Sequence, residues 1–157
     1  MTMRYGALAG QAYNPANTTP KPVGFGLERG TDHVLIRDVI ELSAAAANDT
    51  IFLGKFPSNT VLDPDGCICW FDDLGTGVTV DVGDSSNADG LVDGQDVASA
   101  AGSFSLLKTV DVANYFKPLW AQLGYTSDPG GLLELYATIL GAAATGTVAW
   151  QIKGVTR

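Results

Sequence analysis

The sequence predicts an all-β fold: an antiparallel β-sandwich or jelly-roll with an extended N-terminal arm. Three observations predict it. Short runs rich in Val, Ile, Leu and aromatic residues recur at near-regular spacing, each closed by Gly, Pro, Asn or Asp, which is the signature of a sandwich or barrel. Where the alternation is cleanest its period is two, with Val78, Val80 and Val82 on one face and Thr79 and Asp81 on the other. Helical spacing is scarce, so helix is expected in under roughly a fifth of the chain. The 157 residues are one domain's length, against roughly 100–200 per domain. They can bury a core without disulfide or metal staples.

Residues 1–30 stand apart as the arm, and 31–157 form the β-sandwich domain. From Gln11 to Gly26 the chain is dense in Asn, Thr, Pro and Gly and has neither period, so it reads as an arm and not an element. Tyr5, Tyr13, Pro15, Pro20, Pro22 and Phe25 are the arm residues expected to make contacts, with the chain's own body or with another subunit. The body begins with the β-branched run Val34 to Leu42, bounded by Gly30 and Ser43. Thr50 to Phe56 follows, closed by Pro57. Val61 and Leu62 lead into the turn Asp63-Pro64-Asp65-Gly66, then Cys67 to Phe71, broken by Asp72 to Gly75. Val78 to Val82 is next, and after a polar loop Gly102 to Val110. Leu133, Leu135, Ala137 and Ile139 share one strand face, as do Val148, Trp150 and Ile152 after a turn at Ala144 to Thr147. Val110 to Phe116 can begin a helical turn. Pro118 to Gly124 fits one short helix with Pro at its first position and Gly past its end.

Composition excludes several functions. Nine Lys and Arg against 17 Asp and Glu give a net charge of −8, which opposes nucleic acid, whose binding needs phosphate-neutralising cations, and an anionic membrane surface. No apolar run approaches the roughly 18 residues of a membrane-spanning helix. Met1 to Gly6 lacks the apolar stretch of a signal peptide, so none is expected. Cys67 and Cys69, the two cysteines, lie two apart and face the same way on a strand. A bridge between them would close a strained ring, so they read as free, inert thiols in a reducing compartment.

Catalytic residues are few. His33 is the one histidine, no Gly-x-Ser-x-Gly elbow is present, and one His with a Cys-x-Cys falls short of a four-ligand zinc set. No enzyme activity and no cofactor are therefore expected. Gly24, Gly26 and Gly30 have the wrong spacing for a dinucleotide loop and follow a proline-rich arm. The densest local feature is the acidic stretch Asp81 to Asp96. From Ser85, oxygen-bearing residues fall at Asn87, Asp89, Asp93 and Asp96, with Gly90 sixth, which tracks a calcium loop. Ser stands first where Asp belongs, and Asp stands last where a longer Glu belongs. The plainer reading is a solvated hairpin loop of Asp, Asn and Gly, with Asp84, Asn87, Asp89, Asp93 and Asp96 in a surface turn. Gly90 is then expected in a backbone conformation that other residues resist.

The order of turn motifs resembles a family of small virion proteins of tailed bacteriophages, described as capsid decoration, cement or head-structural proteins. The resemblance rests on Leu53 to Leu62, Asp73 to Asp84, Asn87 to Gly94 and the closing Thr145-Gly146-Thr147-Val148. It covers about residues 34–155. Phe56-Pro57-Ser58-Asn59 replaces the family's Leu-Pro-Lys-Gly-like turn, and the arm lies outside the match. The resemblance implies a non-enzymatic protein on the capsid exterior, made in the host cytoplasm. It also implies the major capsid protein and copies of itself, as a homotrimer, for partners. A body this acidic suits an outer surface, since packaged DNA would repel it. The competing expectation is a head-fibre or tail component that binds host glycan, with Trp70, Trp120, Trp150, Tyr125 and Tyr136 as its aromatic platforms.

Overall fold

The computed structural model describes residues 2–5, of which 3–5 by backbone alone, and 33–156. Ten strands run through these residues: β1 (Met3–Tyr5), β2 (His33–Ala45), β3 (Thr50–Pro57), β4 (Thr60–Leu62), β5 (Ile68–Phe71), β6 (Thr79–Gly83), β7 (Val92–Asp96), β8 (Gly102–Ser105), β9 (Leu132–Leu140) and β10 (Ala144–Thr156). A 3-10 turn at Val112–Asn114 and a short helix α1 (Leu119–Gln122) lie between β8 and β9. Strand accounts for 51% and helix for 6%, as the two-residue period requires. One sheet, here A, has the order β1-β3-β9-β6-β7, and the other, B, the order β2-β10-β5-β8 with β4 also paired to β10. Every pairing is antiparallel but one: β1 lies parallel to β3, Met3 beside Thr50 and Tyr5 beside Phe52.

The two sheets meet along the faces that the alternation marks. From sheet A, Ile51, Leu53, Phe56, Val80, Val82, Leu135 and Ile139 are buried. From sheet B, Val34, Ile36, Leu42, Cys69, Val148, Trp150 and Ile152 meet them. Leu106, Leu107, Val110, Leu119 and Leu123 of the β8–β9 connection join the same core. Trp150, on β10, crosses the interior: its Nε1–H donates to the Leu53 carbonyl at 3.1 Å. That carbonyl is available because the β3–β9 ladder slips between Phe52 and Gly54, and a bulge leaves one residue outside the pairing. Gly54 is the residue the slip demands. A Cβ there would stand 2.7 Å from Ile36 Cδ1 of the opposite sheet.

Four elements depart from the sequence expectation. The arm holds an element where none was expected: β1 is a strand, held by Thr50 N–H to the Thr2 carbonyl at 3.0 Å and Thr2 N–H to Asp49 Oδ1 at 2.8 Å, while Gln11 to Gly26 lie outside the described residues. Three residues are too few to show a period, and the ladder with β3 creates the strand. The acidic stretch contains a strand, β7, because Val80 and Val82 of β6 pair with Gln95 and Val92. The extended run expected over Gly102 to Val110 stops at Ser105, whose Oγ accepts from Leu107 N–H at 3.2 Å and starts a turn. Ala144 to Thr147 is not the turn before the last strand but its beginning, bulged between Ala144 and Gly146. The turn sits at Gly141, with φ of +80° and space for no side chain, since a Cβ would meet the Gly77 carbonyl oxygen at 2.1 Å.

α1 forms as expected, shifted by one residue. Pro118 is its N-cap and not its first residue, and its carbonyl accepts from Ala121 and Gln122 N–H groups. Gly124, with φ of +86°, follows the C-cap, as left-handed helix endings require.

The indole bond separates two effects of mutating Trp150. Trp150→Phe keeps most of the packing and leaves the Leu53 carbonyl unpaired, a loss of about 1–3 kcal/mol. Trp150→Ala removes the packing too and is expected to cost about 3–5 kcal/mol. Denaturant unfolding of both variants checks the order.

Candidate functional site

The acidic loop is built around Asp84. This side chain is buried at the end of β6. Its Oδ1 accepts from the N–H groups of Ser86 and Asn87 at 2.9 and 2.8 Å, and its Oδ2 from the Tyr125 hydroxyl at 2.5 Å. Asn87 then reaches across and donates from Nδ2 to the Leu123 carbonyl at 2.7 Å. Two residues from the acidic loop and two from the end of α1 thus tie the β6–β7 connection to the helix. The Asp84 carboxylate beside it raises the Tyr125 phenol above its ordinary value, against a smaller opposing effect of Ser86.

This arrangement spends the loop's polar groups on the backbone. Asp93 and Asp96 lie on strand β7 and not in a turn, and Asp96 Oδ1 accepts from Ala98 N–H. Asp81, one strand across, accepts from Gly94 N–H at 2.7 Å. Asp89 is exposed. Among the described residues, no three His, Cys, Asp or Glu side chains gather as a metal set. Gly90 does not have the positive φ expected of it; Gly94 does, at +59°. Gly90 is needed for a different reason, since a Cβ there would meet Asn87 Nδ2 at 2.7 Å.

The remaining candidates are scattered. His33 is exposed at the start of β2 and lines a shallow 300 Å³ hollow with Val61, Asp63, Phe116, Lys153 and Val155. Asp63 there pairs with Lys153 at 3.0 Å, which holds the Asp63 carboxyl below its ordinary value. Cys67 and Cys69 are free and buried, and burial pushes their thiols up to about 11 and about 12. Of the arm residues expected to make contacts, Tyr5 lies in β1, while Tyr13, Pro15, Pro20, Pro22 and Phe25 lie outside the described residues.

The aromatic residues do not form a platform. Trp150 is core, Trp120 is half-buried, Tyr125 is held by Asp84, and Tyr136 donates to Glu134, which also pairs with Lys55. Lys55 first, and then Tyr136, lower the Glu134 carboxyl below its ordinary value. Trp70 alone of these five keeps a large exposed face, at 43%. It lies on the outer face of sheet B, and so do the exposed Leu35, Val39 and Val155. Sequence reasoning placed Leu35, Val39 and Trp70 on strands, left Val155 unassigned, and could not see that one sheet gathers all four.

No protein-family model and no curated protein matches the chain. Solved structures do. A chain of the capsid of Ralstonia phage GP4 has a TM-score of 0.58 and 22% identity, over 99% of this chain and 99% of that one. A chain of the cyanophage Pam1 capsid asymmetric unit has a TM-score of 0.54 and 17% identity, over 91% of this chain and 99% of that one. At these identities the likeness is one of fold.

Two expectations follow. Asp81, Asp84 and Asp96 each bond the backbone of the loop and its strands, so melts in millimolar calcium and in chelator should share a midpoint. Asp84→Ala should lower it in both, by at least about 1–3 kcal/mol of stability, since three donors lose their acceptor. The thiols set an alkaline limit. Their folded-state values lie above the unfolded value of 9.0, so the stability they contribute is full below pH 9 and lost as pH rises toward about 12. Thermal midpoints should hold up to about pH 9 and fall beyond it, with a shallower fall in Cys67→Ala/Cys69→Ala.

Proposed function

We propose that this chain is a non-enzymatic structural protein of a phage virion, and within that class a decoration or cement subunit. It would bind the outer surface of a capsid and stabilise the lattice. One observation carries the reading: the fold is shared end to end, over 99% of both chains, with a chain of a phage capsid. The second capsid chain supports it independently, and the turn motifs from Leu53 to Val148 point the same way. The lack of any gathered catalytic set among the described residues agrees with a structural role.

On this reading the partners are the major capsid protein and other copies of the chain, as a homotrimer. The net charge of −8 suits the exterior, away from packaged DNA. Residues 1–30 supply further contacts to a neighbouring chain, with Tyr13, Pro15, Pro20, Pro22 and Phe25 as anchors. Tight turns and mostly buried strands give a body with little for a protease to cut, which a surface protein needs. A glycan-binding tail component would want exposed aromatics in a group, and Trp70 has none of the other four beside it.

Purified protein added to particles that lack it should co-sediment with them, raise their heat resistance, and appear as outer density in electron micrographs. Replacing residues 8–28 by a Gly-Ser linker, which leaves β1 in place, should weaken that binding while the body melts unchanged. Recovery of the protein in tails, or on host polysaccharide and not on capsids, would overturn the reading.

A further inference from the structure

The outer face of sheet B carries a pattern that fits its own copy. Val39 of β2 pairs with Ala149 of β10, Ala149 with Trp70 of β5, and Trp70 with Ser103 of β8. The result is one row across the sheet, with Val39 45% and Trp70 43% exposed. On β2, Arg37 and Glu41 lie two residues either side of Val39, so both point out of the same face. Each is already oriented: Arg37 Nε donates to Gln151 Oε1, and Glu41 Oε2 accepts from Thr147 Oγ1, both at 2.7 Å. The other charges on this face are engaged: Lys153 with Asp63, and Asp72 with Thr147 N–H.

We infer that this face is a two-fold interface between copies of the chain. Consider a two-fold axis laid along the Val39–Ala149–Trp70 row, in the plane between two facing sheets. Rotation about it sets Val39 and Trp70 against their own counterparts. It also exchanges the two sides of the row, so that Arg37 of each copy meets Glu41 of the other, twice. An isologous contact requires such self-complementarity. Twisted sheets can meet this way at about 10 Å, with their strands within about 30°. The charges decide the occupant. A chain of net charge −8 repels its copies generally, and here it offers a face whose acid and base are complementary to their own two-fold image. The apolar row supplies the buried area, and the four charges fix the register. This pairing stands whether or not the chain belongs to a virion. It also leaves sheet A and the β8–β9 connection free for other contacts.

Sedimentation of the full chain over a concentration series tests it. The wild type should show a single twofold step in mass, from the unit that lacks this contact to its pair. Arg37→Glu alone and Glu41→Arg alone each place like charges opposite one another, so each should weaken the pairing by at least about tenfold, roughly 1.4 kcal/mol. A mixture of the two single variants restores both opposite-charge pairs, and so does Arg37→Glu with Glu41→Arg in one chain; both should regain association. Trp70→Ser should abolish it with the fold intact by circular dichroism. No self-association up to about 1 mM, the weak end of specific binding, would overturn the inference. So would single variants that associate normally, or a mixture and a double variant that fail to recover, since the face would then serve another partner.

Discussion

The indole of Trp150 is the link on which the sandwich depends. Among the described strands, sheets A and B share no ladder, so their facing surfaces meet by apolar packing, which does not fix register. The Nε1–H of Trp150 reaching the Leu53 carbonyl is a directed contact from an inner strand of sheet B to an inner strand of sheet A. It needs the bulge in β3 to free the carbonyl, and the bulge needs Gly54, with no Cβ to meet Ile36. Four residues from three strands thus form one constraint. The apolar faces then settle around it with Phe56, Leu42 and Leu62 fully buried.

Much of this was legible in the residues. Strands with one buried face announce themselves by alternation, and β6, β9 and β10 were readable because Val78 to Val82, Leu133 to Ile139 and Val148 to Ile152 alternate without interruption. The two thiols were readable for the same reason, being two apart in one extended run, Cys69 on β5 and Cys67 just before it. What escaped were features made by pairing and not by pattern. β7 has a single buried residue, Val92, so its sequence Val-Asp-Gly-Gln-Asp looks like loop; only β6 beside it makes it a strand. β1 is too short to carry a period. Gly90 was read as a glycine of backbone freedom, whereas its role is closeness to Asn87, which no local rule reveals.

The acidic stretch shows what a dense run of carboxylates does in this fold. It holds five carboxylates in sixteen residues. In the folded chain one of them, Asp84, is buried and satisfied by two backbone N–H groups and a phenol, two cap or brace the backbone around β7, and none is shared with another. The density of Asp and Asn reflects how many sharp corners the chain must turn here, and Asx side chains bond such corners internally. The surface that does gather unusual groups, the outer face of sheet B, is assembled from residues 35 to 155 and has no signature in any single stretch.

The pairing order has a consequence for synthesis. β2, the first long strand, is paired along its length with β10, the last, so that His33 lies opposite Val155. In sheet A, β3 waits for β9, with Phe52 opposite Tyr136. As the chain leaves the ribosome, sheet A cannot close before β9 appears, nor sheet B before β10, and β2 must wait for its partner through most of the chain. Such long-range closure makes folding slow. Folding of the sandwich therefore waits for β10, and truncation within that strand would leave no partial domain to rescue: sheet B would lose its central strand, and the core would lose Trp150 with it.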